Sequence, residues 1–216
     1  FESDIYISSV LSINVFKSVK DDISLLITTC NIESSLPIVH IGVFITEQDK
    51  QNIRTAIDLI KLHRRQEKLR KDISSFMIKD LFKKEFYCED NIEMIKILAE
   101  ECVQKGLCDS NYAEEVLERE RLTSTSFRNA IAIPHSLKAN ARHSFMSVVV
   151  NKKKMLWGTN YINLIVMMGT SITDRVRFQN VYNQLVQALY EPANVRLLIG
   201  STDYDDFLNK LINLIT

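Results

Sequence analysis

The 216 residues carry 27 Lys and Arg against 27 Asp and Glu, a formal net charge of zero, with 46% hydrophobic and 25% charged residues. A chain of this length can bury one large core or two modest ones, and its balanced charge excludes a general electrostatic attraction to nucleic acid or to an anionic membrane. Only five glycines occur, none in a GxxxxGK[ST] or GxGxxG run, which excludes the usual glycine-rich nucleotide cradles.

No apolar run approaches the roughly 20 residues that span a bilayer, and the opening "FESDIYISSV" lacks the basic start and apolar core of a signal peptide. A cytoplasmic chain without membrane insertion is expected. It begins with Phe, not Met, as a fragment or processed chain would. Cys30, Cys88, Cys102 and Cys108 show no close-paired spacing, so they read as buried or idle thiols rather than a zinc or disulfide framework.

In chain order, "DIYISSV" (4–10), "SLLITT" (24–29) and "LPIVHIGVF" (36–44) are short Ile- and Val-rich runs between turns. They predict parallel, largely buried strands, with His40 a core histidine inside the third. Thr46 and Asp49 form a capping-box pattern, and Ile53, Ala56, Ile57 and Ile60 recur at helical spacing. The charged run "KLHRRQEKLRKD" continues that helix without a core stripe. Its Arg64, Arg65, Lys68, Arg70 and Lys71 have no aromatic residues between them to stack on bases, so they read as a solvated face, with His63 exposed.

Beyond this charged helix, "FMIKDLF" predicts a short helix. A longer helix is capped by Asp90 or Asn91, carries Ile92, Ile95, Leu98, Ala99 and Val103, and stops at Gly106. A further helix over about 110–119 leads to a strand ending at His135. Strands follow at 144–150 and 161–169. Two helices close the chain, one over about 174–190 ended by Pro192, the other capped near Thr202. Strands and helices intermix in both halves, an α/β pattern.

The run "RERLTSTSFRNAIAIPH" (119–135) carries the chemistry. Pro134 removes a backbone donor and fixes φ, so the strand pattern stops there and His135 sits where the strand opens to solvent. By itself that is either a core histidine or a chemical one. The whole run resembles the signature of the fructose/mannitol-type enzyme IIA domain of the bacterial sugar phosphotransferase system (PTS), roughly R-E-x-x-x-S-T-G-x-G-N-G-[IV]-A-[IV]-P-H-G. Arg119, Glu120, Ser124, Thr125, Asn129, Ala132, Pro134 and His135 match it. The likeness extends to "NIEMIKILAEECVQKGLCDSNYAEEVLERE", to "LWGTNYINLIVMM" and to the two closing helices.

The resemblance implies that His135 accepts a phosphoryl group from the phosphocarrier HPr and that a IIB cysteine can receive it. Arg119 is implied as the charge partner of the phosphoryl oxygens, and Ser124 and Thr125 as hydroxyl donors. Arg119 could instead pair with Glu118 or Glu115, and Ser124 and Thr125 could be capping or turn residues. No cofactor and no metal is called for, since the donor is a phosphoprotein. His143 matches nothing and reads as a surface histidine.

Against the signature, glycines are replaced by Ser126, Arg128, Ala130 and Ser136, which should stiffen or crowd the loop. The alignment also puts Phe178 where the transport enzymes usually have a second histidine. The first 65 or so residues resemble more weakly the later part of a galactitol-type IIB domain, without its cysteine loop. These resemblances imply two α/β domains: a partial, parallel-sheet IIB-like domain (1–66) and, after a helical linker (67–72), a mixed-sheet IIA domain (73–216) with helices on both faces. That order is the tail of multidomain transcription regulators and antiterminators. It implies a regulatory phosphoacceptor phosphorylated by HPr or a sugar-specific PTS component, with upstream regulatory and nucleic-acid-binding modules in the same polypeptide, no direct nucleic-acid binding by this region, and homodimer formation left open. The alternative is a IIA phosphocarrier for sugar uptake.

Overall fold

A computed structural model describes residues 6–16, 23–127 and 129–215, and the chain divides into two units, residues 1–66 and 67–216. In the first unit, β1 (Leu26–Thr28) and β2 (Ile38–His40) follow the single helical turn α1 (Ile13–Phe16) and pair in parallel, Leu26 opposite Ile38. Residues 6–10 are not a strand, and Asp4 and Ile5, which shared that expectation, lie outside the described residues. Nor are the strands largely buried. Alternation along β2 turns Val39 inward and leaves His40 exposed, so His40 is not a core histidine. α2 (Glu47–Phe76) begins with the capping box: Asp49 N–H donates to Thr46 Oγ1 at 3.2 Å and Thr46 N–H to Asp49 Oδ2 at 2.8 Å. Its residues from 67 onward belong to the second unit.

The second unit is built on a five-stranded mixed sheet in the order β3-β6-β7-β5-β4. β3 (Met77–Lys84) is the segment expected as a short helix. It pairs in parallel with β6 (Phe145–Trp157), Met77 opposite Met146, and buries Leu81 completely. An apolar run of seven residues is compatible with either period, and the partner strand decides. After β3 come α3 (Asn91–Gln104), with Asp90 Oδ1 accepting Glu93 N–H at 2.8 Å and Gly106 in the left-handed region at φ 71°, and α4 (Tyr112–Leu122). The short strands β4 (Ser126–Phe127) and β5 (Ile131–Ala132) form an antiparallel pair, and β5 runs parallel to β7 (Asn160–Gly169). β6 and β7 are antiparallel.

Strand alternation supplies both faces of this sheet. Ile131, Ile133, Val148, Val150, Leu164 and Val166 enter one apolar cluster with the end of α2, α5 (Arg175–Leu189), α6 (Pro192–Ile199) and α7 (Tyr204–Ile215). Ala132, Val149 and Ile165, with Trp157, enter a second with α3 and α4. Pro192 does not merely end a helix: it opens α6 at the first position, where its missing N–H leaves no helical bond unmade.

Ala130 keeps a left-handed backbone, φ 64°, though it replaces a signature glycine. Its carbonyl accepts the N–H groups of Asn163 at 2.8 Å and Leu164 at 3.1 Å, which hold the turn in place. The left-handed region costs a non-glycine residue roughly 1–2 kcal/mol, and the freer unfolded chain of glycine returns roughly 0.4–1 kcal/mol. Ala130→Gly is therefore expected to stabilise the second unit by about 0.5–1 kcal/mol. Urea unfolding checks this, and a lower midpoint would show that the turn is unstrained.

Candidate functional site

β5 ends at Ala132, and three backbone contacts fix the course of the next three residues. Ile133 N–H donates to the Thr125 carbonyl at 3.1 Å, and Met168 N–H donates to the Pro134 carbonyl at 3.0 Å. His135 forms a single parallel bridge to Met168. The imidazole is thereby placed at the end of the sheet where β5 and β7 stop, partly buried.

His135 Nδ1 lies 2.8 Å from the Ile133 carbonyl oxygen. A carbonyl can only accept, so Nδ1 carries the proton and Nε2 keeps its lone pair. Burial pushes the ring below the ordinary histidine range. The Arg119 charge acts in the same direction, and the Ile133 hydrogen bond and the Glu120 charge oppose it. The ring is neutral near pH 7, with one nitrogen in nucleophilic form.

Arg119 lies in the last turn of α4 and is partly exposed, its Nη1 donating to the Thr123 carbonyl at 2.7 Å. Among the described residues it pairs with no carboxylate, neither Glu118 nor Glu115. Thr125 is buried and its hydroxyl donates to Glu120 Oε2, while the exposed Ser124 donates to Glu120 Oε1 at 2.8 Å. His135 and Arg119 are thus close enough to interact electrostatically, whereas Ser124 and Thr125 are gathered on the carboxylate between them in sequence.

Glu120 is the residue that sequence reasoning missed. It matches the signature but is given no role there. It is 9% exposed and accepts from Trp157 Nε1 at 2.8 Å and from Thr125 N–H at 3.0 Å as well as from the two hydroxyls. The one local signal is its spacing: a carboxylate in the last helical turn, four and five residues before two hydroxyls.

The loop after His135 is tied down by a second buried carboxylate. Glu115 accepts from Ser136 Oγ at 3.1 Å, Lys138 Nζ at 3.0 Å and Asn140 Nδ2 at 2.8 Å. Burial pushes its carboxyl up, but the hydrogen bonds from Asn140, Lys138 and Ser136 hold it below the ordinary value. Of the replaced glycines, Ser136 has become an anchor and Ser126 bonds Ser124 at 2.9 Å; Arg128 lies outside the described residues. Asn129 donates to the Tyr190 carbonyl at 2.6 Å, at the end of α5.

Phe178 does not present a site-facing surface. It is 5% exposed in the core cluster, with its ring edge-on to Phe76 at 5.1 Å between centroids. Any side chain there must satisfy apolar packing first. His143 is exposed, as is His63. Among the described residues no helix is long and apolar enough to cross a membrane.

Residues 75–214 match the family model described as phosphoenolpyruvate-dependent sugar phosphotransferase system, EIIA 2. The chain is 24% identical over 196 residues to the transcriptional regulator ManR of Bacillus subtilis (strain 168), covering 88% of this chain and 30% of that protein. It is 29% identical over 111 residues to the mannitol-specific phosphotransferase enzyme IIA component of Halalkalibacterium halodurans, covering 50% of this chain and 74% of that protein. In structure it resembles the Escherichia coli mannitol enzyme IIA solved in complex with phosphorylated enzyme IIB, with a TM-score of 0.55 at 18% identity, covering 64% of this chain and 99% of that one. That likeness concerns the fold alone. The chain spans about 30% of the length of the regulator it matches.

Proposed function

The chain belongs to the EIIA 2 family of the phosphoenolpyruvate-dependent sugar phosphotransferase system, and on that premise we propose that it is the regulatory phosphoacceptor region of a PTS-controlled transcription regulator or antiterminator, phosphorylated on His135. The observation that carries the chemistry is the hydrogen bond from Nδ1 to the Ile133 carbonyl, which leaves Nε2 unprotonated. Nε2 forms a bond to phosphorus as the donor's bond to phosphorus breaks, and the proton stays on Nδ1, hydrogen-bonded to the Ile133 carbonyl. The product carries about two negative charges. Arg119, uncommitted to any carboxylate among the described residues, supplies the opposite charge. Ser124 is exposed and can turn its hydroxyl toward the new oxygens, whereas Thr125 acts from within through Glu120.

The donor is HPr or a sugar-specific PTS component, and a IIB domain is the further partner. Leu137 and Ile172, 67% and 78% exposed, lie on the segments leaving β5 and β7 at the His135 end of the sheet, and Val176, 77% exposed, lies in the first turn of α5 that follows; a partner protein would approach there. Residues 1–66 are read as a partial IIB-like domain, 67–72 as the linker and 73–216 as the IIA domain. The protein is read as cytoplasmic, with regulatory and nucleic-acid-binding modules elsewhere in the polypeptide. The regulatory reading is favoured over a transport phosphocarrier because the alignment with ManR takes in 88% of the chain, against 50% with the mannitol enzyme.

Onward transfer separates the two. A sensor holds its state, so the phosphorylated chain mixed with a free IIB domain should keep its label over a period in which a mannitol enzyme IIA loses it. Transfer at the carrier's own rate would make this chain a phosphocarrier.

A further inference from the structure

We propose that Glu120 is a positioning residue that selects the tautomer of His135. The inference rests on the reading of His135 as the phosphoacceptor and adds what keeps Nε2, rather than Nδ1, free to react. The connection is a short sequence of hydrogen bonds. Glu120 Oε2 takes both the backbone N–H of Thr125, at 3.0 Å, and its hydroxyl. The Thr125 carbonyl takes Ile133 N–H at 3.1 Å. The Ile133 carbonyl takes His135 Nδ1–H at 2.8 Å.

Each link leaves the next group little freedom. Thr125 is 3% exposed and Ile133 1% exposed, so neither peptide has solvent as an alternative partner. β4 and β5 pair over only two residues each, Ser126 with Ala132 and Phe127 with Ile131. So short a ladder cannot by itself fix the peptides just beyond it. The Thr125–Ile133 bond extends it by one rung, and Glu120 anchors that rung from the end of α4. The other oxygen, Oε1, is held by Trp157 Nε1 and Ser124 Oγ, each at 2.8 Å. The carboxylate therefore cannot rotate without leaving a buried N–H unpaired. Among the described residues Glu120 pairs with no cation, so its binding capacity is spent on this segment and on Trp157 of β6.

In water a neutral histidine side chain prefers its proton on Nε2, the tautomer that cannot attack through that nitrogen. The Ile133 carbonyl reverses the preference only while it is held within hydrogen-bond range. Glu120→Met fills nearly the same space and removes both acceptor oxygens. Thr125→Val deletes only the hydroxyl donor. Trp157→Phe deletes the donor on Oε1 and leaves the Thr125 side intact.

The test is the ring nitrogen NMR spectrum of His135 at neutral pH in the full chain, which needs no phosphoryl donor, read beside the rate of labelling by HPr. Wild type should show the Nδ1–H tautomer. Folded Glu120→Met should gain the Nε2–H form and be labelled up to about 10²-fold more slowly, the loss that misplacing a reacting group by about 1 Å brings. Trp157→Phe should keep the wild-type tautomer however much it lowers the melting temperature. If Glu120→Met does not fold, Thr125→Val carries the test and should show a partial shift. A wild-type tautomer in folded Glu120→Met, or in Thr125→Val when it stands alone, overturns the proposal. So does an equal shift in Trp157→Phe, which would indicate general loosening. A shifted tautomer with unchanged labelling would instead count against His135 as the phosphoacceptor and leave the positioning role standing.

Discussion

Phosphoenolpyruvate, enzyme I and HPr together are expected to label the wild-type chain and His143→Ala, and to leave His135→Ala without label. This is the largest effect expected of any single substitution, because no second group can replace an absent nucleophile. The label should be acid-labile and base-stable, as a phosphoramidate is. The pH dependence comes from the burial of the ring and the nearby Arg119 charge, both of which disfavour the imidazolium form. On the proposed role the neutral ring attacks, so labelling should be flat above pH 7 and fall only in acid. Its midpoint should lie below the ordinary histidine value of about 6.5. A stopped pH series measures it, provided that HPr and enzyme I are kept in excess so that their own titration does not limit the rate. A midpoint above 6.5 would mean that Glu120 and the Ile133 carbonyl outweigh burial. Label surviving in His135→Ala would remove the phosphoacceptor assignment altogether.

Phe178→His is expected to unfold the second unit more easily, not to improve its chemistry. Phe178 is 5% exposed and packs its ring edge-on against Phe76 at 5.1 Å in the cluster formed by the sheet and the closing helices. Removing a buried phenyl costs about 3–5 kcal/mol, and an imidazole recovers some volume while bringing a polar group that finds no partner among apolar side chains. A net loss of about 3 kcal/mol corresponds to a fall of roughly 6–12 °C in melting temperature for a chain of this size. Phe178→Leu, which keeps the position apolar, should fall much less. An unchanged melt accompanied by faster phosphoryl transfer would place the position in the reaction site rather than the core.

Much of the architecture is legible in local pattern. The alternation of "SFMSVVV" and the apolar run "YINLIVMMG" mark β6 and β7, and Asp90 and Gly106 mark the two ends of α3, because caps and strand alternation act over a few residues and leave their signature there. The candidate site is legible in the run 119–135 through its resemblance to the enzyme IIA signature, whereas Pro134 and His135 alone state where a strand must stop and leave the histidine either a core or a chemical residue. Pairing across the chain leaves no such local mark. "FMIKDLF" fits a helix or a strand equally well, and only β6, about seventy residues on, makes it β3. Neighbouring residues suggest a core place for His40 and alignment suggests a site place for Phe178, yet the exposure of each depends on what packs across from it. Glu120 is marked locally only by the hydroxyls four and five residues on, and nothing nearby announces its fourth donor, Trp157, which reaches it from 37 residues away. The sequence by itself therefore determined the strands β6 and β7 and the caps of α3, properties decided by short-range backbone geometry, and through its resemblance to the enzyme IIA signature it singled out His135 as the proposed phosphoacceptor. Burial, hydrogen-bond partners and the tautomer of His135 were decided only by the tertiary structure, because they depend on which distant segments exclude water from the same place.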